Sequence, residues 1–526
     1  MKRTLPLAIL LCAAPALHAG PPCESLAALA LPHTSIATAE ARPAGDFAQP
    51  DGQPIRNLPA FCRIAGAIKP TDDSDIRFEV WMPATGWNGK FQGIGNGGYA
   101  GAINFDGLAN AVGHGYAAAS TDTGHEAGGA DAGWALRHPE KVIDFGYRAI
   151  HETAVVAKAV LSRFYGESPR RSYFSSCSNG GRQALMEAQR YPADYDGIIA
   201  GAPANYWTHL LGAAAWDVNA TLATPADYIP ASKLPAIQAA ALAACDTIDR
   251  VKDGVIEDPR QCHFDPSPLL CKGAESDGCL TAPQIAALRK IYAGPGNSKG
   301  ERVFPGYSPG GEAEAGGWAL WITGDAPKKS LMFAFGTQFF MNMVFNDPGW
   351  QFRTFDVDRD IPAADARTAR ILNATDPDLD AFRKRGGKLI LYHGWSDAAI
   401  PAQNTIDYYG SVVAKMGDKE AEGFLRLYMI PGMQHCGGGS GTSSFGQMGT
   451  PSASSDPLHD VDSALEAWVE QGVAPGQIVA TKYKDPADSK SGAVRTRPLC
   501  PFPKVATWTG SGSTDSAANF VCAVPK

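Results

Sequence analysis

The chain predicts an α/β fold, a mostly parallel sheet covered by helices on both faces and interrupted by one large insertion. Three observations carry this. Short apolar runs at residues 76–83, 91–95, 116–121, 171–175, 195–203, 387–394 and 424–430 alternate with helical patterns, as crossover connections between parallel strands require. Between about residues 205 and 375 that rhythm gives way to Pro, Gly, Trp and short helices. A length of 526 residues leaves room for such an insertion beside the sheet. The expected organisation is a sheet unit from residues 20–204 and 376–526, with 205–375 as a lid.

The elements follow in order. Residues 1–19 begin with Lys2 and Arg3, continue through an apolar centre and end in small residues at Ala19. This is the pattern of an export signal and implies a secreted or periplasmic product. Cys12, behind the bulky Leu11, is a poor lipid-anchor site. The run 76–83 alternates with period two and stops at Pro83. The next strand runs into Asn96-Gly97-Gly98-Tyr99-Ala100-Gly101. That loop lacks the Lys-Ser/Thr ending of a phosphate cradle, but glycines at a strand end let backbone N–H groups approach a reacting carbonyl. A plain flexible turn is the alternative. Residues 144–164 form a long amphipathic helix. The apolar run 332–345, broken by Gly336, Gln338 and Asn342, reads as a buried helix or pocket wall. The helix 462–471 sets Leu465, Trp468 and Val469 on one face.

Composition excludes several classes. With 44% hydrophobic and 19% charged residues and a net charge of −8, the chain carries no basic footprint for nucleic acid and no polybasic membrane surface. Of its 11 cysteines, one lies in the leader, and the remaining ten suit a disulfide framework in an exported protein. Proximity suggests Cys23–Cys62, Cys245–Cys262, Cys271–Cys279 and Cys500–Cys522, and elimination leaves Cys177 with Cys436. No cysteine spacing suits structural zinc.

Two constellations carry chemistry. Ser178 stands between a strand and a helix in Ser176-Cys177-Ser178-Asn179-Gly180-Gly181, the form of a nucleophile elbow, with Ser176 where glycine is usual. Asp397 and His435 each lie just beyond a strand. Serine is a poor nucleophile until a neutral imidazole takes its proton and a carboxylate fixes that imidazole. The order Ser178, Asp397, His435 is that of α/β-hydrolases, so the fold class is read as an α/β-hydrolase with a large inserted lid domain. His393 is the rival base, earlier on its strand. The second constellation is Asp246, Asp249 and Asp253 in one short loop, where a cation would relieve repulsion and carbonyls of Val251 and Val255 could complete an oxygen shell suited to calcium. The spacing is not that of an EF-hand, and a solvated acidic loop is the alternative.

Together, Cys177-Ser178-x-Gly180-Gly181, Asp397, His435-Cys436 and Asp246-x-x-Asp249-x-Val251-x-Asp253-Gly254-Val255 resemble the tannase and feruloyl esterase family. That family also contains the enzyme hydrolysing mono(2-hydroxyethyl) terephthalate, and the resemblance spans nearly the whole mature chain. It implies a Ser178–His435–Asp397 triad, a disulfide between the cysteines flanking it and calcium held by the acidic loop in the lid. It further implies an oxyanion hole from the Asn179 N–H and a glycine of the pair Gly97 and Gly98. The expected activity is a secreted serine esterase that cleaves small esters of hydroxylated aromatic acids through an acyl-enzyme. Phe333, Phe335, Phe339, Phe340 and Trp350 suit stacking of such acids, and Ile400 would wall the acyl site. The absence of arginine from residues 337–342 counts against a terephthalate monoester. The rivals are a peptidase on the same fold and a calcium-dependent binding protein on an inactive scaffold.

Overall fold

Nine strands form the central sheet of the computed structural model, which describes residues 21–50 and 52–525. The expected leader at residues 1–19, with Cys12, lies outside the described residues. The strands are β1 (Thr34–Arg42), β2 (Phe61–Ile68), β3 (Ile76–Pro83), β4 (Lys90–Ile94), β5 (Ala117–Thr121), β6 (Arg171–Cys177), β7 (Gly197–Gly201), β8 (Lys388–Gly394) and β9 (Leu425–Ile430). Their spatial order is β1-β2-β3-β5-β4-β6-β7-β8-β9. Pairing is antiparallel from β1 to β5 and parallel from β5 to β9.

Both faces of the parallel half are covered, so its strands are apolar at nearly every position. The faces separate by period two. Phe174, Ile198, Ala200, Leu389 and Leu391 pack with helices α1 (Ala149–Tyr165) and α2 (Asn179–Arg190). Tyr173, Ile199, Ile390 and Tyr392 pack instead with Leu465 and Trp468 of the last helix, Val461–Gln471. That helix starts where Asp460 accepts the Ser463 N–H (2.9 Å) and stops at Gly472, φ 74°.

The expected seven strands are present, trimmed by a residue or two at several ends. The expected helix at 144–164 opens as a wide π turn over Asp144–Arg148 before becoming α1. Two strands, β1 at the edge of the sheet and β2 beside it, were not expected. β1 is half exposed along its length and carries few large apolar side chains, so it has no clear sequence signal.

No strand of the nine-stranded sheet comes from residues 202–387. This segment carries helix α3 (Trp207–Leu222), helix α4 (Leu331–Gln338) and the Cys245–Cys262 and Cys271–Cys279 bridges. Its apolar side chains join Tyr99 and residues 398–400 from loops that follow strands, and Phe145 from the π turn before α1. Downstream, two small hairpins are tied by Cys500–Cys522. Cys23–Cys62 anchors the N-terminal end to β2.

Candidate active site

β6 ends at Cys177 and α2 begins at Asn179, so Ser178 alone makes the turn, at φ 67° and ψ −126°. A non-glycine residue there is strained, and strain of this kind persists only where the surroundings over-determine it. Here its N–H donates to the Gly201 carbonyl (3.0 Å), and its carbonyl accepts from Arg182 N–H (3.0 Å) and Ala204 N–H (3.1 Å). A Cβ on Gly180 would collide with the Ser176 side chain, and one on Gly181 with the Gly201 carbonyl. The two glycines are therefore steric requirements of the elbow.

Cys177 and Cys436 are bonded, with Cα atoms 5.9 Å apart across a sequence separation of 259. The other four pairings are also those expected. The bridge draws the residue before Ser178 against the residue after His435. His435 Nδ1 lies 2.8 Å from Asp397 Oδ2, with side-chain exposures of 12% and 0%. The other carboxylate oxygen, Oδ1, accepts from the N–H groups of Ala399 (2.7 Å) and Ile400 (2.9 Å). Burial opposes ionisation of Asp397, but His435 and His393 outweigh it and hold the carboxyl far below its usual range. Among the described residues no hydrogen bond joins the Ser178 hydroxyl to His435.

His393 is not a free rival base. It is fully buried, its Nε2 donating to Asp397 Oδ2 (3.1 Å) and to the Ile400 carbonyl (3.0 Å), which leaves Nδ1 to accept from the Thr405 hydroxyl (2.7 Å). One carboxylate thus faces two imidazoles. Three further groups steady the loops. Gln183 accepts from Asn96 N–H (3.0 Å) and its amide donates to Asn96 Oδ1 (3.2 Å), fixing the glycine loop against α2. Arg182 is fully buried, with Nε on Asn179 Oδ1 (2.8 Å), Nη1 on the Gly146 carbonyl (2.7 Å) and the cation over the rings of Phe145 and Trp207. Burial lowers its pKa to about 9. Gln434, beside His435, donates to the Gly311 carbonyl (2.8 Å) and Glu314 (3.2 Å), so the insertion grips the histidine loop. Apart from the Arg182–Asn179 pair, these contacts join positions far apart in the chain and leave no local pattern.

A cavity opens beside Ser178, Asn179 and Gly98. Trp207, Leu210, Leu211 and Ala214 line it at helical spacing along α3, facing Met332 and Phe335 of α4, with Trp321 and Ile400 closing it. The N–H groups of Asn179 and Gly98 meet no acceptor among the described residues. Gly97 lies outside the lining, whereas Ile400 is part of it as expected. Phe339 and Phe340 are a correction. Both are fully buried where α4 widens into a π turn, and Phe340 packs on Trp350 (5.1 Å) and Phe355 (5.2 Å) instead of the cavity. Phe335, one turn earlier, and Met332, two turns earlier, take that place.

The acidic loop is built from hard oxygen donors. Asp246 accepts from the N–H groups of Asp253 (3.1 Å) and Gly254 (3.2 Å), and Asp249 from Val251 N–H (3.0 Å). Burial and the charge of Asp253 push Asp249 up to about 6, and burial and Asp249 push Glu257 up to about 8. This crowding of buried acids fits a cation among Asp246, Asp249 and the carbonyls of Val251 and Val255. Asp253 is partly neutralised already, by Arg497 and by Arg495 (3.2 Å). Among the described residues, acids and imidazoles converge to within 4.8 Å in a group of three at His151, Glu187 and Asp194, not in this loop.

A family model described as tannase and feruloyl esterase matches residues 62–523. The chain belongs to the tannase and feruloyl esterase family. It is 46% identical to an uncharacterised esterase of Xanthomonas campestris pv. campestris, over 95% of this chain and 91% of that one. It is 34% identical to the mono(2-hydroxyethyl) terephthalate hydrolase of Piscinibacter sakaiensis, over 89% of this chain and 85% of that one. The crystal structure of feruloyl esterase B from Aspergillus oryzae superposes with a TM-score of 0.87 at 31% identity, covering 95% of this chain and 99% of the other. Tannase and feruloyl esterase family members of this kind have the α/β-hydrolase fold, and this chain is a carboxylic ester hydrolase.

Proposed function

We propose that this ester hydrolase is an exported serine enzyme that cleaves esters of aromatic acids through an acyl-enzyme. The observation that carries the reading is the Asp397–His435 hydrogen bond held beside Ser178 by the Cys177–Cys436 bridge. With Nδ1 donating to Asp397, Nε2 of His435 is the free base. Ser178 Oγ attacks the ester carbonyl and gives its proton to His435 Nε2. The carbonyl oxygen gains the negative charge and is met by the N–H groups of Asn179 and Gly98. Collapse expels the alcohol, which leaves with the proton from His435. Water then attacks the acyl-serine with His435 as base, and the free acid departs.

Calcium belongs to the same proposal. Asp246, Asp249, Asp253 and the carbonyls of Val251 and Val255 would hold it, and it would neutralise the acidic loop and fix the insertion without entering the chemistry. Export is supported by five disulfides, by the leader-like start of the chain and by the absence, among the described residues, of any helix long and apolar enough to cross a membrane. The aromatic acid comes from the relatives' names and from the aromatic cavity wall.

The test is Ser178→Ala with fluorophosphonate labelling. Hydrolysis of methyl cinnamate should vanish, and a single adduct should form at Ser178 in the parent protein. Turnover that survives the substitution, or an adduct elsewhere, removes the proposal. Failure to cleave esters at all would favour the binding-protein reading.

A further inference from the structure

The cavity beside Ser178 holds more information than the class of reaction. We infer that it is an acyl site for uncharged aromatic acids carrying few free ring hydroxyls, an inference that rests on Ser178 being the nucleophile. The first step is to decide which half of the ester enters. Ser178 lines the cavity and His435 does not. His435 stands edge-on to Trp321, ring centroids 5.0 Å apart, with part of its surface open to solvent. The leaving oxygen must face His435 to receive its proton, so the alcohol departs on that side. The acyl group, bonded to Ser178, stays in the cavity.

The second step reads the walls. Leu210, Leu211, Ala214, Phe335 and Ile400 offer no polar side-chain atom, Met332 offers only a weakly accepting thioether sulfur, and no charged side chain lines the cavity. Ser178 and Asn179 sit at the reacting end, and Asn179 Oδ1 is already engaged by Arg182. Elsewhere the polar side-chain atoms are the indole N–H groups of Trp207 and Trp321, which donate and cannot accept. Trp207 Nε1 is buried and has no partner. A ring methoxy oxygen has no proton to donate, so it loses nothing on such a wall. A ring hydroxyl finds no side-chain acceptor along the wall stronger than the Met332 thioether, and a carboxylate finds no cation. A buried unpaired hydroxyl discriminates by about ten- to a hundredfold, and a buried unpaired carboxylate by on the order of a thousandfold or more.

The site therefore separates activities that its relatives' names group together. A second carboxylate, as in a terephthalate monoester, is disfavoured, and so is a polyhydroxylated ring of the galloyl kind. Ferulate, with one hydroxyl beside one methoxy group, is tolerated less well than its dimethoxy analogue.

Two matched pairs test this with the unmodified, metal-replete protein. The kcat/KM for methyl cinnamate should exceed that for methyl caffeate by about ten- to a hundredfold. That for dimethyl terephthalate should exceed that for monomethyl terephthalate by roughly a thousandfold. Equal rates within either pair, or a preference for the hydroxylated or charged member, overturn the inference. If Ser178 is labelled by fluorophosphonate and esters are cleaved in the wrong order, only the inference falls. If Ser178 is not labelled and no ester is cleaved, the catalytic reading falls with it.

Discussion

Removing the Cys177–Cys436 bridge by the double substitution Cys177→Ala, Cys436→Ala should cost activity even where the fold survives. The loop it closes is long, with a sequence separation of 259. Chain-entropy reasoning then gives an upper bound of about 5–6 kcal/mol lost from the folded state. The bridge also has a local task. Ser178 at φ 67° follows one cysteine, and Cys436 itself sits at φ 64°. Each left-handed non-glycine residue costs on the order of 1 kcal/mol or more, so both turns can relax once the covalent link is gone. Relaxation that moves His435 by about 1 Å relative to Ser178 costs roughly a hundredfold in rate. The assay is kcat on methyl cinnamate at 25 °C, with circular dichroism showing the sheet intact and fluorophosphonate labelling rate as a second readout. A folded double variant that keeps kcat within about threefold of the parent would refute the positioning argument, leaving the bridge a crosslink alone.

Other outcomes follow from the same geometry. Asp397→Asn should lower kcat by about 10³–10⁴ with little change in melting temperature, because the imidazole loses its orienting anion; a loss under tenfold contradicts that role. His393→Gln should lower kcat about tenfold at unchanged KM, since Asp397 loses one of its two imidazole contacts; an effect confined to thermal stability would make His393 purely structural. Asp122 is buried at the end of β5, accepts from the Arg77 and Gly124 N–H groups, and is pushed up to about 7 chiefly by burial. The folded state therefore binds its proton more tightly than the unfolded chain, and stability falls as pH rises from about 4 to about 7, by up to about 4 kcal/mol. Asp122→Asn should raise the urea midpoint at pH 8 and leave it unchanged at pH 4, and equal shifts at both would refute the assignment. Calcium chelation should lower the melting temperature by several degrees with kcat at 25 °C nearly unchanged, and elemental analysis finding no calcium in the purified protein would count against the loop.

The residues proposed to react could be singled out because each leaves a local trace. Ser178 is marked by its glycines, Asp397 and His435 by apolar strands just before them, and the bridge by cysteines adjacent to both. The buried parallel strands announce themselves as continuous apolar runs. What the sequence hid depends on distance. Asn96 meets Gln183, and Gln434 meets Gly311, through pairs that no window of sequence contains. His393 was visible as a histidine near Asp397, but its tautomer and its hold on that carboxylate depend on Thr405 and Ile400, which reach it only in the folded loop. The π turn at Phe339–Val344 defeats any count of helical spacing, and so of the expected aromatic run Phe335 reaches the wall, beside Met332, while Phe339 and Phe340 do not.

The groups proposed to make and break bonds stand just beyond strand ends, whereas most of the cavity wall an acid would touch is donated by residues 207–335. Selection can therefore retune diet by exchanging side chains on two helices while the reaction itself is inherited unchanged. Within such a lineage, overall likeness is a poor guide to preferred food, and a handful of wall positions is a better one.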